Sequence, residues 1–452
     1  MAVLGVGASG VAAALLVHAK GAKVYVSDMR TDASATAGAD RVRAVGAEVE
    51  LGRHDVERIA RAETVVVSPG IPPDAPVLRA LQERGVQWIS EPEFAFRFFQ
   101  GPLIAVTGTN GKTTTAMLTA DLLREAGLDA VVGGNVGAGL GPAASELALR
   151  EPAPAWYVLE VSSFQLADIE RFRPDIGVVT NLAPDHLDRY PSVAAYHADK
   201  ARLFDNADQN SRWILNGDDP AVLALADDAP GLRYLFSLER SDTAARVDDG
   251  TLLLEVGEGR EPLLPRADLE LLGDHNVANA LAAALAARLA GARPEALARG
   301  LRRARPLPHR LEPVADRDGV VWVDDSKATN VAAAVSAVRS LPGRALVVLL
   351  GGKDKGEELT PLADALAGRA RVAVVYGAAG DRIEAALVGR VPVRRVRGGF
   401  EEVVAAARAD ARRGDLVLLA PAFSSFDMFA DYEERGRYFT ALARAGGARG
   451  GP

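Results

Sequence analysis

Residues 103–115 read LIAVTGTNGKTTT, and no other stretch of the chain limits its fold as strongly. An apolar run, Leu103–Val106, enters the loop Gly108-Thr109-Asn110-Gly111-Lys112-Thr113-Thr114, and a helix-like run from Ala116 to Leu123 follows. Glycines let the backbone wrap with its N–H groups turned inward, and the helix N-terminus adds positive potential. Lys112 can then reach outer phosphates and the Thr113 hydroxyl can ligate Mg²⁺. The longer phosphate-loop spacing would place its first glycine at position 106, where Val106 stands, so this is a variant form. With a strand before it and a helix after it, the segment predicts nucleoside triphosphate binding.

The rest of the chain alternates in the same way. Apolar runs at Val3–Val6, Val24–Ser27 and Thr64–Val67 are separated by a helical stretch from Val11 onward, and Ser68-Pro69-Gly70 follows the last of them. This segment opens on Gly5-x-Gly7-x-x-Gly10, and Asp28 ends the second strand. Taken alone, that fingerprint says NAD. Further strands are expected at Ile104–Val106, Ala155–Leu159, Ile176–Thr180 and Trp213–Leu215, with a helix near Asn276–Leu289. The connector Arg305-Pro-Leu-Pro-His309 reads as a hinge. Beyond it, Val320–Val323, Leu346–Leu350, Val372–Tyr376 and Leu416–Leu419 alternate with alanine-rich helices. Strands at this spacing imply parallel sheets covered by helices. The expectation is an α/β protein of three domains: Rossmann-like over 1–99, a P-loop ATPase-type domain with a mostly parallel sheet over 100–305, and Rossmann-like again over 306–452. The glycine-rich tail after Gly446 reads as frayed, and a chain that begins almost at its glycine turn suggests a trimmed start.

Composition removes several classes of function. A net charge of −8 leaves no basic surplus for nucleic acid. With no cysteine, disulfides, thiolate metal sites and cysteine nucleophiles are excluded. No apolar run is long enough to cross a bilayer, which points to a cytoplasmic protein without membrane insertion. Seven lysines stand against 45 arginines. Where a generic cation is wanted this chain writes arginine, so lysines become candidates for chemistry that needs a primary amine or compact ammonium.

Several polar clusters follow strand ends. Glu160 lies just past the strand Trp156–Leu159, well placed to hold Mg²⁺; a surface acid capping the next helix is the plainer alternative. Asn135, in Gly133-Gly-Asn-Val-Gly137, is either a turn residue or a polar contact to substrate. Asp185-His186-Leu-Asp188 could bind a cation or be structural. Lys200, on a helix after Tyr196, is either an ion-pair partner or an amine able to take up CO2 as a carbamate. His275-Asn276 and Asn279 open a helix, and their amides suit a base edge or a cap. Asp325-Ser326-Lys327-Ala328-Thr329-Asn330 closes a strand with capping residues, and its lysine favours a functional site.

Together these residues resemble the Mur ligase family, ATP-dependent amide ligases of peptidoglycan precursor synthesis. Gly108–Thr113, Glu160-Val-Ser-Ser and His275-Asn276 fit the family broadly. Ser162-Ser-Phe-Gln165-Leu, Asp185–Tyr190, Asp325–Asn330 and Ala420–Asp427 resemble its D-glutamate-adding branch. The resemblance implies a monomer acting on UDP-N-acetylmuramoyl-L-alanine and D-glutamate, with ATP and two Mg²⁺ sites. It places Ser9, Gly10, Asp28, Arg30, Ser68 and Gly70 on the UDP-linked substrate rather than on NAD, with Asn135, Ser162, Gln165 and His186 lining the substrate and metal site. Lys112, Thr113 and Glu160 would serve the phosphates and first Mg²⁺, and His186 with a carbamylated Lys200 the second. Asn276, Asn279, Arg310, Asp325 and Lys327 would reach ATP, and Thr329, Lys355, Ser425 and Tyr432 the D-glutamate carboxylates. Position 432 is tyrosine where the family pattern often has phenylalanine, and Lys353 competes with Lys355.

Overall fold

The computed structural model describes residues 1–445 apart from positions 138, 188, 258, 342 and 355. Two compact units emerge, one formed by Met1–Leu269 with Ala278–Arg303, the other by Glu270–Val277 with the chain from Ala304 onward. The second boundary falls at the start of the proline-bearing connector.

The first unit holds two sheets. In the five-stranded one the order is Glu48–Leu51, Tyr25–Asp28, Ala2–Leu4, Val65–Val67, Ile89–Ser90, all parallel. Toward one edge of the nine-stranded sheet the strand order is Arg212–Asn216, Ile176–Val179, Leu103–Thr107, Trp156–Glu160, Ala130–Gly134, again parallel. All five residues of Leu103–Thr107 are buried, as expected of a strand covered on both faces by helices. Val106 pairs with Glu160 and Thr107 with Val179, so three chain segments leave the sheet side by side at its carboxyl edge. Ligands of open α/β sheets bind at that edge.

Two expectations need correction. Glu160 is the last residue of its strand rather than one past it. The central sheet also extends beyond the strands expected from sequence, through Leu232–Ser237, Ala245–Asp248 and the antiparallel pair Thr251–Val256 and Gly259–Pro265. The six-stranded sheet of the second unit runs Glu312–Arg317, Val320–Asp324, Leu416–Ala422, Leu346–Gly351, Ala370–Tyr376, Val393–Arg395, and only its first pair is antiparallel.

Candidate active site

The phosphate loop is held open by its own neighbours. Asn110 N–H donates to Asn181 Oδ1 at 3.0 Å, and Asn110 O accepts from Thr180 Oγ1 at 2.6 Å and Asn181 Nδ2 at 2.9 Å. Thr109 N–H donates to the Asn181 carbonyl, and its hydroxyl exchanges bonds with Ala183. Gly108 adopts φ +138°, and a Cβ there would stand 2.1 Å from Thr180 Oγ1. Gly111 begins the helix Lys112–Glu125, on which Thr113 is buried and Thr114 half-buried. Lys112 Nζ donates to Thr109 O at 2.9 Å, folded over the loop it would share with a phosphate.

Thr113 Oγ1 donates to Glu160 Oε2 at 2.6 Å, and Asn135 Nδ2 donates to Glu160 Oε1 at 3.1 Å. Glu160 is 2% exposed, which rules out a surface cap. The next helix is capped instead by Ser162, whose hydroxyl and Gln165 form a reciprocal capping box. Ser162 and Gln165 therefore lie beside Glu160 in sequence with their polar groups engaged with each other. A carboxylate contacted by a hydroxyl and an amide, with two oxygens at the sheet edge, has the donor chemistry a divalent cation requires.

Lys200 lies beneath the loop, 1% exposed, with Nζ donating to Gly108 O at 2.7 Å. Burial, and then the Lys112 ammonium, hold its pKa well below the ordinary lysine value. His186 sits at φ +55° with its ring exposed, edge-on to Phe164 at 5.0 Å and to Tyr196 at 6.0 Å. Its Nε2 is 3.8 Å from Asp185 Oδ2. Asn279 Oδ1 accepts from Thr115 Oγ1 at 3.4 Å on the following helix, and a Cβ on Gly111 of the loop would stand 2.3 Å from the same oxygen.

A cavity of about 610 Å³ opens over the N-terminal sheet, and Ser9, Asp28, Arg30, Ser68 and Gly70 all line it. Gly10 is buried and is not among the residues that line it. The Asp28 carboxylate accepts from Val6 N–H at 2.9 Å and from Arg30 Nη2 at 2.9 Å. Burial opposes its ionisation, but these bonds outweigh it and lower the pKa. Ser68 Oγ is buried without a hydrogen-bond partner, which suits a cavity built for a polar ligand. His54 and Met29 also line the cavity and were not singled out from sequence. His54 Nδ1 is 2.8 Å from Ser27 Oγ, and burial lowers its pKa, leaving a neutral ring. Six histidines in the whole chain were the available signal.

In the second unit Asp325 Oδ1 accepts from Leu311 N–H at 3.1 Å. Although the side chain keeps some surface, the protein packed around it pushes its carboxyl up to about 7. Lys327 Nζ lies 3.9 Å from the centre of the Tyr432 ring, and the Tyr432 hydroxyl donates to Glu433 at 2.9 Å. Ser425 is buried, Thr329 N–H donates to Lys327 O, and Asn330 caps the helix Val331–Arg339. Arg310 N–H donates to Leu307 O, and Asn276 Nδ2 donates to Leu272 O at 2.8 Å. Lys355 falls outside the described residues; the exposed Lys353 pairs by its backbone with Ser424.

Residues 1–90, 106–287 and 309–423 match, in turn, the Mur ligase MurD-like N-terminal domain, the Mur ligase middle domain and the Mur ligase glutamate ligase domain. The UDP-N-acetylmuramoylalanine–D-glutamate ligase of Acidobacterium capsulatum is 42% identical, over 98% of this chain and 95% of that one. The chain belongs to the Mur ligase family. Another relative of the same name, from Koribacter versatilis, is 40% identical over 98% of this chain and 96% of its own length. The fold also matches that of solved Mur ligase relatives. A pseudomurein peptide ligase type C from Methanothermus fervidus superposes with a TM-score of 0.63 at 21% identity, covering 98% of this chain and 99% of that one. The UDP-N-acetylmuramate–alanine ligase of Thermotoga maritima gives 0.60 at 19% identity, over 97% and 98%. The α/β, three-domain class expected from sequence is thus that of a Mur ligase. No helix among the described residues is long and apolar enough to cross a membrane.

Proposed function

We propose that this Mur ligase joins D-glutamate to UDP-N-acetylmuramoyl-L-alanine, using ATP and passing through an acyl phosphate. The observation that carries the reading is the 2.6 Å Thr113–Glu160 contact over a phosphate loop, with the buried Lys200 amine beneath it. The full-length similarity to ligases of that name supports the choice of substrates. Residues 1–99 bind the UDP-linked substrate, 100–305 bind ATP and 306–452 bind the incoming amino acid. The enzyme acts as a cytoplasmic monomer.

In this reading the cavity holding Ser9, Asp28, Arg30 and Ser68 takes the UDP part of the substrate. Asn135, Ser162, Gln165 and His186 line the path of its carboxylate. The loop Gly108–Thr114 wraps the ATP phosphates, Lys112 turns from Thr109 O to the outer phosphates, and Asn276, Asn279, Arg310, Asp325 and Lys327 hold the rest of the nucleotide. The substrate carboxylate oxygen attacks the γ-phosphorus and ADP leaves. The D-glutamate amine then attacks the acyl carbon and phosphate departs with that oxygen. Mg²⁺ held by Thr113 and Glu160, and a second ion held by His186 and Lys200, would neutralise phosphate charge. For Lys200 to serve there, its neutral amine adds to CO2 and loses a proton, giving a carbamate. Thr329, Lys355, Ser425 and Tyr432 receive the D-glutamate carboxylates. Positioning and water exclusion supply most of the rate, because water would otherwise hydrolyse the acyl phosphate.

The test is phosphate release from ATP in the presence of UDP-N-acetylmuramoyl-L-alanine and a panel of amino acids. Release that requires D-glutamate supports the reading, and release indifferent to it overturns the substrate assignment.

A further inference from the structure

The helix Tyr432–Arg444 carries Arg435 one turn inside its start, and that side chain is fully buried. All three guanidinium nitrogens are engaged. Nε donates to Ser326 Oγ at 2.9 Å, Nη2 to Ser326 O at 2.9 Å and Nη1 to Phe423 O at 3.2 Å. Among the described residues no carboxylate lies within ion-pair distance of it; its bonded partners are a hydroxyl and two carbonyls. Desolvating a guanidinium is costly, and a methionine or leucine would fill the space without that penalty. What the arginine supplies that they cannot is a rigid planar fork joining two separate backbone segments.

Those segments are the ones the proposed function assigns to the amino acid, and the inference rests on that assignment. Ser326 immediately precedes Lys327 and sits three residues before Thr329, and Phe423 sits two before Ser425. Other contacts reinforce the same junction. Ser326 Oγ donates to Tyr432 O at 2.8 Å, and Ala422 N–H donates to Ala328 O. One turn before Arg435 on the helix, the Tyr432 ring faces Lys327 Nζ. One residue after it, Gly436 lets the helix press against the His309–Asp324 hydrogen bond, where a Cβ would stand 2.2 Å from His309 Nδ1. The ligand atoms of His309, Glu312 and Asp324 cluster there, and two of those groups already bond each other, His309 Nδ1 with Asp324 Oδ2 at 2.7 Å.

We propose that Arg435 is a positioning residue of the amino-acid subsite: its buried guanidinium fixes the spacing between the segment that carries Thr329 and the one that carries Ser425, and so governs recognition of the acceptor's carboxylates. It touches no substrate itself.

The experiment uses the full-length enzyme and measures KM separately for D-glutamate, ATP and the UDP-linked substrate, together with Tm. Arg435→Lys keeps the charge and loses the fork. It should raise KM for D-glutamate on the order of tenfold while the other two KM values stay within about twofold. Arg435→Ala should show the same split, and added ethylguanidinium should partly reverse it. Should both variants misfold, Ser326→Ala removes one of the three contacts and keeps the arginine, and a smaller rise confined to the acceptor KM is expected. A fall in Tm with all three KM values unmoved, or moved together, would overturn the proposal. If wild-type enzyme prefers another amino acid, the substrate reading fails by itself. The same selective split is then required for the preferred acceptor.

Discussion

Replacing Gly108 by alanine separates two costs that the phosphate loop avoids. The residue sits at φ +138°, where a side chain is strained by about 1–3 kcal/mol. Its new Cβ would also meet Thr180 Oγ1 at 2.1 Å, and that hydroxyl cannot swing away freely, because it donates to Asn110 O at 2.6 Å. Overpacking of this kind costs about 1–3 kcal/mol. If the loop relieves both by leaving its phosphate-binding shape, ATP affinity falls by about 2–6 kcal/mol, roughly 30-fold to 10⁴-fold. Isothermal titration of ATP into Gly108→Ala measures the loss. Adding Thr180→Ala removes the clash and leaves the backbone strain, so the double variant should recover about tenfold of it. Gly127→Ala is the control, since Gly127 has φ +79° but nothing within 4 Å of its would-be Cβ, and ATP affinity should not change. Binding by Gly108→Ala within threefold of wild type would refute the reasoning.

Three further outcomes are expected. Glu160→Gln should keep the Thr113 contact but lose the anionic ligand, lowering turnover at least about a hundredfold and raising the Mg²⁺ requirement in a metal titration. Lys200→Ala should abolish activity that added short carboxylates partly restore, and an undiminished variant would exclude the carbamate. Glu91 is 1% exposed and burial pushes its carboxyl up to about 7. A raised folded-state pKa means stability is fully present below the unfolded value and is lost as pH rises through about 7. Glu91→Gln should therefore match wild type in urea denaturation at pH 4 and exceed it by up to about 3 kcal/mol at pH 8; equal curves at pH 8 would contradict the shift.

How much of this was legible in sequence depends on whether a feature is local. The phosphate loop, the glycine turn before Asp28 and the Asn330 cap are written in consecutive residues, and each appears where its spacing puts it. The strands from Leu232 to Pro265 were missed because charged residues interrupt their apolar alternation, although Asp249-Gly250, with both residues at positive φ, is a standard hairpin signal. Glu160 was readable as an acid near a strand end, but its burial against Thr113 and Asn135 depends on residues 47 and 25 positions away. Arg435 was invisible for a related reason. In a chain where arginine is the ordinary surface cation, composition points away from a buried one, and its partners lie 109 and 12 residues distant. The second unit's Lys327 stood out because lysine is scarce here; the arginine that orients its loop did not.

The central claim is that phosphorus passes from ATP to the substrate carboxylate before the amide forms. Labelling the alanine carboxylate of UDP-N-acetylmuramoyl-L-alanine with ¹⁸O and weighing the released phosphate by mass spectrometry tests this directly. The account predicts one ¹⁸O in each phosphate produced together with amide. Phosphate that carries none while product accumulates would contradict it.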